Sequence, residues 1–189
     1  MGIVLASGSP RRLELLKKIG IEDFTVLADT SEEVLTPGLS PEDQVIKLSL
    51  QKAQNVAQKC SKGDIIVAAD TIVYLDDKPL GKPDSKSDAA DMLRALSGRK
   101  HSVYTGVTLL RGDKELSHAE KTDVSFREIS ESEINEYVET GEPMDKAGSY
   151  AAQGRAAVFV ERIEGDFFNV MGLPLCRLSI MLKEFNTEL

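Results

Sequence analysis

The sequence predicts an α/β protein with a mixed β-sheet and flanking helices. Short apolar runs typical of strands alternate with amphipathic stretches typical of helices, as where residues 3–6 precede residues 10–19. In contrast, residues 101–110 and 115–126 are two long strand-like runs separated by a turn at Gly112-Asp113, which indicates an antiparallel hairpin. Because both arrangements occur in one chain, the sheet is expected to be mixed rather than purely parallel.

Length and charge limit the classes of function. The 189 residues, 41% of them hydrophobic, fit one large domain over 1–189 or two lobes that share a sheet. The net charge of −8 argues against a broad nucleic-acid surface but permits a small polyphosphate where positive charge is local. No apolar run or leader predicts a membrane segment, so we expect a cytoplasmic protein. Cys60 and Cys176 lie in helical patterns, and we expect both to be buried free thiols.

The amino-terminal stretch is the first candidate site. After the strand-like run of residues 3–6, Ser9 and Pro10 are typical of an N-cap and a first helical position. Arg11 and Arg12 then fall in the first helical turn, where cations are unfavourable unless an anion is bound. Together with the Ser7 hydroxyl, they indicate a phosphate site. The alternative is that both arginines pair with surface carboxylates.

A second strand over residues 24–27 leads to a polar loop that contains Glu33, which either is solvated or contributes to a cation site. Ser40-Pro41 begins a helix that we expect to run to about residue 60 and to carry Lys52. Acidic residues follow this second helix start, as the helix dipole favours, and the contrast makes the arginines of the first helix more notable.

The apolar run over residues 64–71 predicts a strand buried on both faces that ends at Asp70-Thr71. Since ligands bind at the carboxyl ends of strands in open α/β sheets, Asp70 is a candidate functional residue, although an Asp that caps the next turn is the alternative. Residues 72–80 suggest a hairpin or a turn. Lys82 follows between Gly81 and Pro83 in a short rigid loop and can neutralise phosphate charge.

The remaining elements follow from similar patterns. We expect helices over residues 87–96, from the capping box at residues 130–133 to Gly141, and up to about residue 185 at the end of the chain. Residues 156–163 are expected to form a strand. Residues 142–154 have no periodicity but carry polar side chains, as segments that build sites often do.

These residue types support one kind of chemistry. Glu33 and Asp70 can share a divalent cation, Mg²⁺ or Mn²⁺, while arginine and lysine side chains neutralise phosphate charge. No arrangement typical of a protein nucleophile is evident, so water activated by a metal and a carboxylate base is the simplest mechanism. From chemistry alone, we expect a metal-dependent enzyme that acts on a nucleotide or another phosphate ester.

Several motifs follow one another over nearly the whole chain. They are Ser7-Gly8-Ser9-Pro10-Arg11-Arg12, Ala69-Asp70-Thr71, Gly81-Lys82-Pro83, residues 96–106, Asp145-Lys146-Ala147-Gly148-Ser149-Tyr150 and residues 169–174. In this order they closely resemble the motifs of the Maf family of nucleoside triphosphate pyrophosphatases. The resemblance implies two lobes of an elongated mixed sheet around a central cleft, similar to inosine triphosphate pyrophosphatases. It also implies hydrolysis of a nucleoside triphosphate to the monophosphate and pyrophosphate with a divalent cation, and an association with septum formation.

The resemblance also implies roles for individual residues. Asp70 matches the proton acceptor, and Glu33, with Asp70, the metal site. The phosphate-side residues are Ser7, Arg11, Arg12, Lys52 and Lys82, and the positions linked to substrate choice are Arg12, Thr71 and Gln153. Gln153-Gly154 resembles the branch that acts on dTTP and UTP, and an amide can pair with the carbonyl and N–H of such bases.

Two other functions stay open at this stage. The segment from Leu5 to Arg12 loosely resembles the glycine-rich loop of sugar-phosphate nucleotidyltransferases, which would need a second substrate. A nucleotide-sensing regulator of septum formation without turnover is the other alternative. The physiological substrate among dTTP, UTP and modified uridine triphosphates, the preferred metal and the oligomeric state, a homodimer included, are not determined by the sequence.

Overall fold

A computed structural model describes residues 2–31 and 33–187, so Met1, Glu32 and the last two residues of the predicted 1–189 domain lie outside the described residues. The described chain has the predicted α/β class. Its strands are β1 Ile3–Leu5, β2 Phe24–Val26, β3 Ile65–Leu75, β4 Lys78–Leu80, β5 Lys100–Arg111, β6 Lys114–Phe126 and β7 Val160–Glu164. Its α-helices are α1 Pro10–Lys18, α2 Pro41–Ala57, α3 Lys86–Leu96, α4 Glu131–Glu139, α5 Phe167–Val170 and α6 Leu175–Thr187.

The strands of the described chain form a seven-stranded sheet in the order β2-β1-β3-β5-β6-β7, with β4 paired to β3. β1 is parallel to both β2 and β3, whereas β4 is antiparallel to β3 and β7 is antiparallel to β6. The prediction of a mixed sheet is therefore confirmed. None of the helices in the described ranges combines the length and the apolar character that a membrane span requires.

The chain forms two compact units. Unit 1 comprises Met1–Asp70, Thr105–Glu120 and Gly172–Leu189, and unit 2 comprises Thr71–Tyr104 and Lys121–Met171. In unit 1, apolar side chains of β1, α2 and β3, such as Val4, Val56 and Ile66, pack into one core. In unit 2, residues of α3 and α4 pack with an aromatic group that includes Phe126 and Tyr150. Each unit thus has its own apolar core.

The close approach of α2 to β5 positions α2 within unit 1. A Cβ atom at Gly106 would lie 2.1 Å from the carbonyl oxygen of Val45, far inside van der Waals contact. Glycine at this position therefore lets the α2 backbone lie directly on the strand. α2 carries Lys52, so this contact helps to fix the height of that lysine above the sheet.

The predicted end of the strand at Asp70-Thr71 is wrong, because β3 continues to Leu75 and Asp70 lies in its middle. Residues 72–75 keep the strand pattern and pair with β4 through a two-residue turn, in which Asp76 and Asp77 both have positive φ. The parallel neighbour β1, however, ends at Leu5, opposite Val67. Asp70 therefore lies three residues beyond the level at which the parallel strand β1 ends. Since ligands bind at the carboxyl ends of strands in open α/β sheets, the reason for selecting Asp70 still applies.

Other local predictions also need correction. The expected strand over residues 156–163 begins only at Val160, because Arg155–Phe159 form a 3₁₀-helix that buries Ala156 and Phe159, three residues apart. The prediction that both thiols are buried is wrong, since Cys60 is half-buried and Cys176 is exposed. Cys176 lies in a helix, α6, as predicted, whereas Cys60 follows α2. Both are free, as predicted.

Candidate active site

Arg12 is held in place by two contacts within unit 1. Its Nε donates a hydrogen bond to the carbonyl oxygen of Gly172 over 2.8 Å, and its Nη1 donates to the Ser7 hydroxyl over 3.2 Å. The Ser7 hydroxyl, which is buried, also accepts a hydrogen bond from the backbone N–H of Ser9 over 3.3 Å. The strand-to-helix turn therefore fixes the direction of the guanidinium, rather than leaving it on a mobile surface side chain.

Ser9 begins α1 as predicted, but its side chain makes no capping hydrogen bond within the described chain. In α2, α3 and α4, by contrast, the serine at the N-cap accepts a hydrogen bond from the backbone N–H of the third helical residue. The first-turn N–H groups of α1 thus lack this side-chain acceptor while Arg11 and Arg12 lie in the same turn. Such an N-terminus favours an anionic ligand.

Lys52 joins the two carboxylates that the sequence analysis assigned to a cation site. Its Nζ lies 2.6 Å from Glu33 Oε1 and also contacts Asp70 Oδ1. The Lys52 side chain is 12% exposed and that of Asp70 is 4% exposed, whereas that of Glu33 is 46% exposed. An ammonium group therefore bridges one buried and one open carboxylate, so the three side chains form one charged cluster.

Asp70 combines burial with an unused acceptor. Its Oδ2 is buried and accepts no hydrogen bond from the residues that the structure describes. Burial raises the pKa of Asp70 and the negative charge of Glu33 adds to this, while the positive charges of Lys52 and Arg12 act in the opposite direction. A carboxylate with a raised pKa and a free lone pair is suited to accept a proton.

Arg12 belongs to the same cluster. Burial lowers the pKa of its guanidinium, Asp70 and Glu33 raise it, and the neighbouring Arg11 lowers it. Hydrogen bonds and ion pairs thus join Ser7 to Arg12 and Lys52 to both Glu33 and Asp70, while the charges of Arg11, Glu33 and Asp70 act on Arg12. All six are residues that the sequence analysis selected.

The residues that hold the Glu33 loop were not predicted from the sequence. Asn55, one turn beyond Lys52 on α2, donates a hydrogen bond to Asp29 Oδ2 and another to Ser31 Oγ, each over 3.1 Å. Thr36 is bonded to the same helix, through Lys47 and through Gln44. The loop from residue 29 onward therefore follows one face of α2, and the polar spacing at residues 44, 47, 52 and 55 was the available signal.

Three further predicted site residues belong to unit 2. Thr71 is half-buried in β3, Lys82 is exposed after β4, and Gln153 is exposed in a turn. The carbonyl oxygen of Gly81 accepts a hydrogen bond from the Gly148 N–H over 3.0 Å, which ties the Lys82 loop to the segment that precedes Gln153. Gly148 has φ +68°, and a Cβ there would lie 3.1 Å from the Val73 side chain, so a glycine is needed.

The donor set suits a divalent cation that also binds substrate. Among the described residues, no group of three or more His, Cys, Asp or Glu side chains can hold a metal alone. Mg²⁺, however, is commonly bound by one or two carboxylates together with phosphate oxygens. Glu33 and Asp70 supply two carboxylates, one with an unpartnered buried oxygen. These residues fit such an ion.

Comparison with solved structures defines the class of fold. A HAM1 protein from Coxiella burnetii matches with a TM-score of 0.54 at 18% identity, over 97% of this chain and 99% of that chain. At this identity the likeness concerns the fold alone. The chain therefore has a mixed α/β fold similar to that of the HAM1 protein, and a charged cluster lies in unit 1.

Comparison of sequences identifies the family. The model of the Maf-like protein family matches residues 2–185, and this chain belongs to that family. A protein of Bacillus anthracis named dTTP/UTP pyrophosphatase is 47% identical over 186 residues, which cover 98% of this chain and 96% of the relative. A Bacillus cereus protein of the same name matches with the same identity and coverage.

Proposed function

We propose that this chain is a nucleoside triphosphate pyrophosphatase that hydrolyses dTTP and UTP to the monophosphate and pyrophosphate. The observation that carries the proposal is Asp70, a buried carboxylate with a raised pKa and a free oxygen, held by Lys52 beside Arg12. Family membership and relatives named dTTP/UTP pyrophosphatase support the choice of reaction and substrate.

In the proposed reaction, a water oxygen attacks the α-phosphorus, and the bond from this phosphorus to the bridging oxygen of the pyrophosphate group breaks. Asp70 accepts the water proton on its free oxygen, and pyrophosphate leaves with the electron pair. Arg11, Arg12 and Lys52 neutralise the charge of the phosphates, because guanidinium and ammonium groups bind such oxygens strongly. Ser7 keeps Arg12 oriented.

Glu33 and Asp70 are the residues proposed to hold Mg²⁺ or Mn²⁺. When bound, this ion neutralises phosphate charge and polarises the phosphoryl group. Lys52 now bridges both carboxylates, so we expect its ammonium to turn to a phosphate oxygen when a divalent ion takes its place. The Lys52 chain is long and flexible enough for this change of partner.

The roles in unit 2 belong to the same proposal. Lys82 is assigned to the phosphates, and Thr71 and Gln153, with Arg12, are assigned to substrate choice. Gln153 is suited to this role because its exposed amide both donates and accepts, and so matches the carbonyl and N–H of uracil or thymine. Action of the whole 1–189 chain as one catalytic domain, a cytoplasmic location and a link to septum formation stay predictions.

The direct test is pyrophosphate release from a panel of nucleoside triphosphates with Mg²⁺ or Mn²⁺, with no second substrate present. We expect turnover of dTTP and UTP. In H₂¹⁸O, the label should enter the monophosphate, as attack at the α-phosphorus requires. Release that depends on an added acceptor would instead indicate a nucleotidyltransferase, and no turnover of any triphosphate would indicate a sensor.

Asp70→Asn tests the assigned base. The amide has nearly the same shape but cannot accept the proton, so we expect kcat to fall by about 10²–10⁴-fold while the fold is kept. Asp123→Asn is the matched control, because Asp123 is also a strand carboxylate bonded to a lysine but lies in unit 2, at Lys100. Equal activity of the two variants would contradict the assignment.

A further inference from the structure

Gln153 lies in a tight turn that interrupts a buried segment of unit 2. The Gly154 N–H donates a hydrogen bond to the Ala151 carbonyl oxygen over 2.9 Å, which closes a four-residue turn with Gln153 in its third position. Ala151 and Ala152 are buried before it, and Ala156 is buried after it. Gln153 itself is exposed, and its amide makes no hydrogen bond with the described part of the chain. The turn thus exposes one polar side chain between buried residues.

Two side chains fix both ends of this turn. The hydroxyl of Tyr137, on α4, accepts a hydrogen bond from the Ala151 N–H over 3.2 Å and donates one to Glu142 Oε1 over 2.9 Å. The Glu142 carboxylate also accepts the Arg155 N–H, with its two oxygens at 3.0 Å and 3.3 Å. An unbroken chain of hydrogen bonds therefore runs from the residue that begins the turn to the residue that follows it.

Gly154 makes room for this carboxylate. A Cβ atom at position 154 would lie 2.4 Å from Glu142 Oε1, inside any permitted contact. The φ of Gly154 is −99°, so the glycine is not explained by a left-handed backbone conformation. A side chain at position 154 would instead displace the Glu142 carboxylate, which packs against the backbone immediately after Gln153. Tyr137, Glu142 and Gly154 thus form one arrangement, which we call the turn clamp.

Helix α4, which carries Tyr137 of the turn clamp, is well supported. Tyr137 is buried, and its ring packs edge-on against Phe159, with centroids 5.4 Å apart. α4 begins with a full capping box, in which the Ser130 and Glu133 side chains each bond the other's backbone. The Tyr137 hydroxyl therefore has a fixed position, and a fixed hydroxyl can fix the turn that it binds.

We propose that the turn clamp positions Gln153 to select the base of the substrate, so that Tyr137 and Glu142 are positioning residues for substrate choice. The inference rests on the proposed function, in which the Gln153 amide pairs with uracil or thymine. A glutamine side chain has several rotatable bonds, and pairing loses affinity when its backbone also moves. The turn clamp removes the backbone part of that disorder before the substrate binds.

The test is a double-mutant cycle on kcat/KM for UTP with four forms of the full chain: wild type, Tyr137→Phe, Gln153→Ala and the double variant. Tyr137→Phe keeps the buried ring and deletes only the hydroxyl. We expect it to lower kcat/KM for UTP about tenfold, mainly through KM, and to reduce the preference for UTP over CTP. In the Gln153→Ala background the same change should have an effect smaller than twofold, because nothing is left to position.

Additional variants separate positioning from general damage. Glu142→Gln keeps an acceptor oxygen and should retain most of the activity, whereas Glu142→Ala and Gly154→Ala should both resemble Tyr137→Phe. Tyr74→Phe deletes the same hydroxyl from another tyrosine of unit 2 and should leave the UTP preference unchanged. If Tyr137→Phe does not fold, Glu142→Ala takes its place in the cycle.

Two results would overturn the inference, and they are distinguishable. If wild type releases pyrophosphate from UTP but Tyr137→Phe has the same effect with and without Gln153, the turn clamp has only a structural role. The same conclusion follows if the UTP preference does not change. If wild type hydrolyses no triphosphate, the proposed function fails and the inference fails with it.

Discussion

Acidification should destabilise the fold through His101, a buried histidine in the core of unit 2. His101 is 2% exposed, its Nε2 lies 2.8 Å from the Tyr150 hydroxyl, and its ring packs edge-on against Phe126 and Tyr150. Its Nδ1 is buried and has no hydrogen-bond partner among the described residues. Burial disfavours the charged imidazole and lowers the pKa of His101 to about 4, while the charge of Asp123 acts in the opposite direction. A protonated imidazole would also be a donor at both nitrogens.

The direction of the pH dependence follows from this lowered pKa. Above pH 6.5, the ordinary pKa of histidine, His101 is neutral in both the folded and the unfolded chain. Its protonation therefore does not lower the free energy of unfolding in this range. As the pH falls from 6.5 towards about 4, the unfolded chain binds a proton that the folded chain does not, so stability decreases. At 1.36 kcal/mol for each pKa unit, the whole loss is about 3 kcal/mol, of which about 2 kcal/mol is reached by pH 5.

Urea unfolding at pH 7.5, 6 and 5 measures this dependence in wild type, His101→Gln and His118→Gln. His118, the second of two histidines in the chain, has a side chain that is 35% exposed, so its removal should leave most of the pH dependence intact. His101→Gln should lower stability at pH 7.5 by loss of ring packing, but its deficit relative to wild type should shrink by about 2 kcal/mol at pH 5. A constant deficit across this range would refute the role of His101.

Three further predictions concern individual contacts. Gly106→Ala should lower the free energy of unfolding by about 3 kcal/mol in urea titrations, because its Cβ would collide with the Val45 carbonyl oxygen; unchanged stability would contradict the close packing of α2. Arg12→Lys should raise KM for UTP about tenfold in initial-rate assays. A guanidinium can donate to the Gly172 carbonyl oxygen and to a phosphate at the same time, whereas the single ammonium group of lysine lacks this planar set of donors. Ser130→Ala should cost about 1 kcal/mol of stability in urea titrations through loss of the α4 cap, and unchanged stability would contradict the contribution of this cap.

The sequence was sufficient to predict the elements whose signals are local. Ser40 and Ser130 begin helices by capping rules, and both helices start where these rules place them. The turn at Gly112 separates two long strands as expected. These features depend on residues within a few positions of each other, where propensity and capping decide the conformation.

Features that depend on distant partners were predicted less well. The strand containing Asp70 was expected to end there, because an acidic residue after an apolar run resembles a strand end. It continues because residues 72–75 pair with β4, and a buried Asp in mid-strand is permitted by Lys52 on α2. Similarly, Ala156 and Phe159 have the composition of a strand but are buried by tertiary packing as a 3₁₀ turn. Tertiary context outweighed local propensity in both places.

The residues proposed for the site can be selected by residue type, but their hydrogen bonds and ion pairs are seen only in the structure. Arginines at a helix N-terminus and an Asp after a buried run were sufficient to select Arg12 and Asp70. That Lys52 bridges Glu33 and Asp70 could not be read from the spacing alone, since the three residues lie on a loop, a helix and a strand. The turn clamp around Gln153 was not predicted either, because its members come from α4 and from two irregular segments.

The direction of a pKa shift shows whether the charged form of a group stabilises or destabilises the folded chain. Asp123 is held at a pKa of about 2: its partial burial acts in the raising direction, but bonds from Lys100 and Ser102 outweigh it, so its ionised form stabilises the folded chain at neutral pH. Asp70 has the opposite sign, because burial raises its pKa and the ionised form destabilises the folded chain above that pKa. Arg12 has a lowered pKa, so its charged form is also disfavoured by folding. Burial of a carboxylate and a guanidinium in one charged cluster thus acts against stability, and binding of a phosphate ester would give this burial a function.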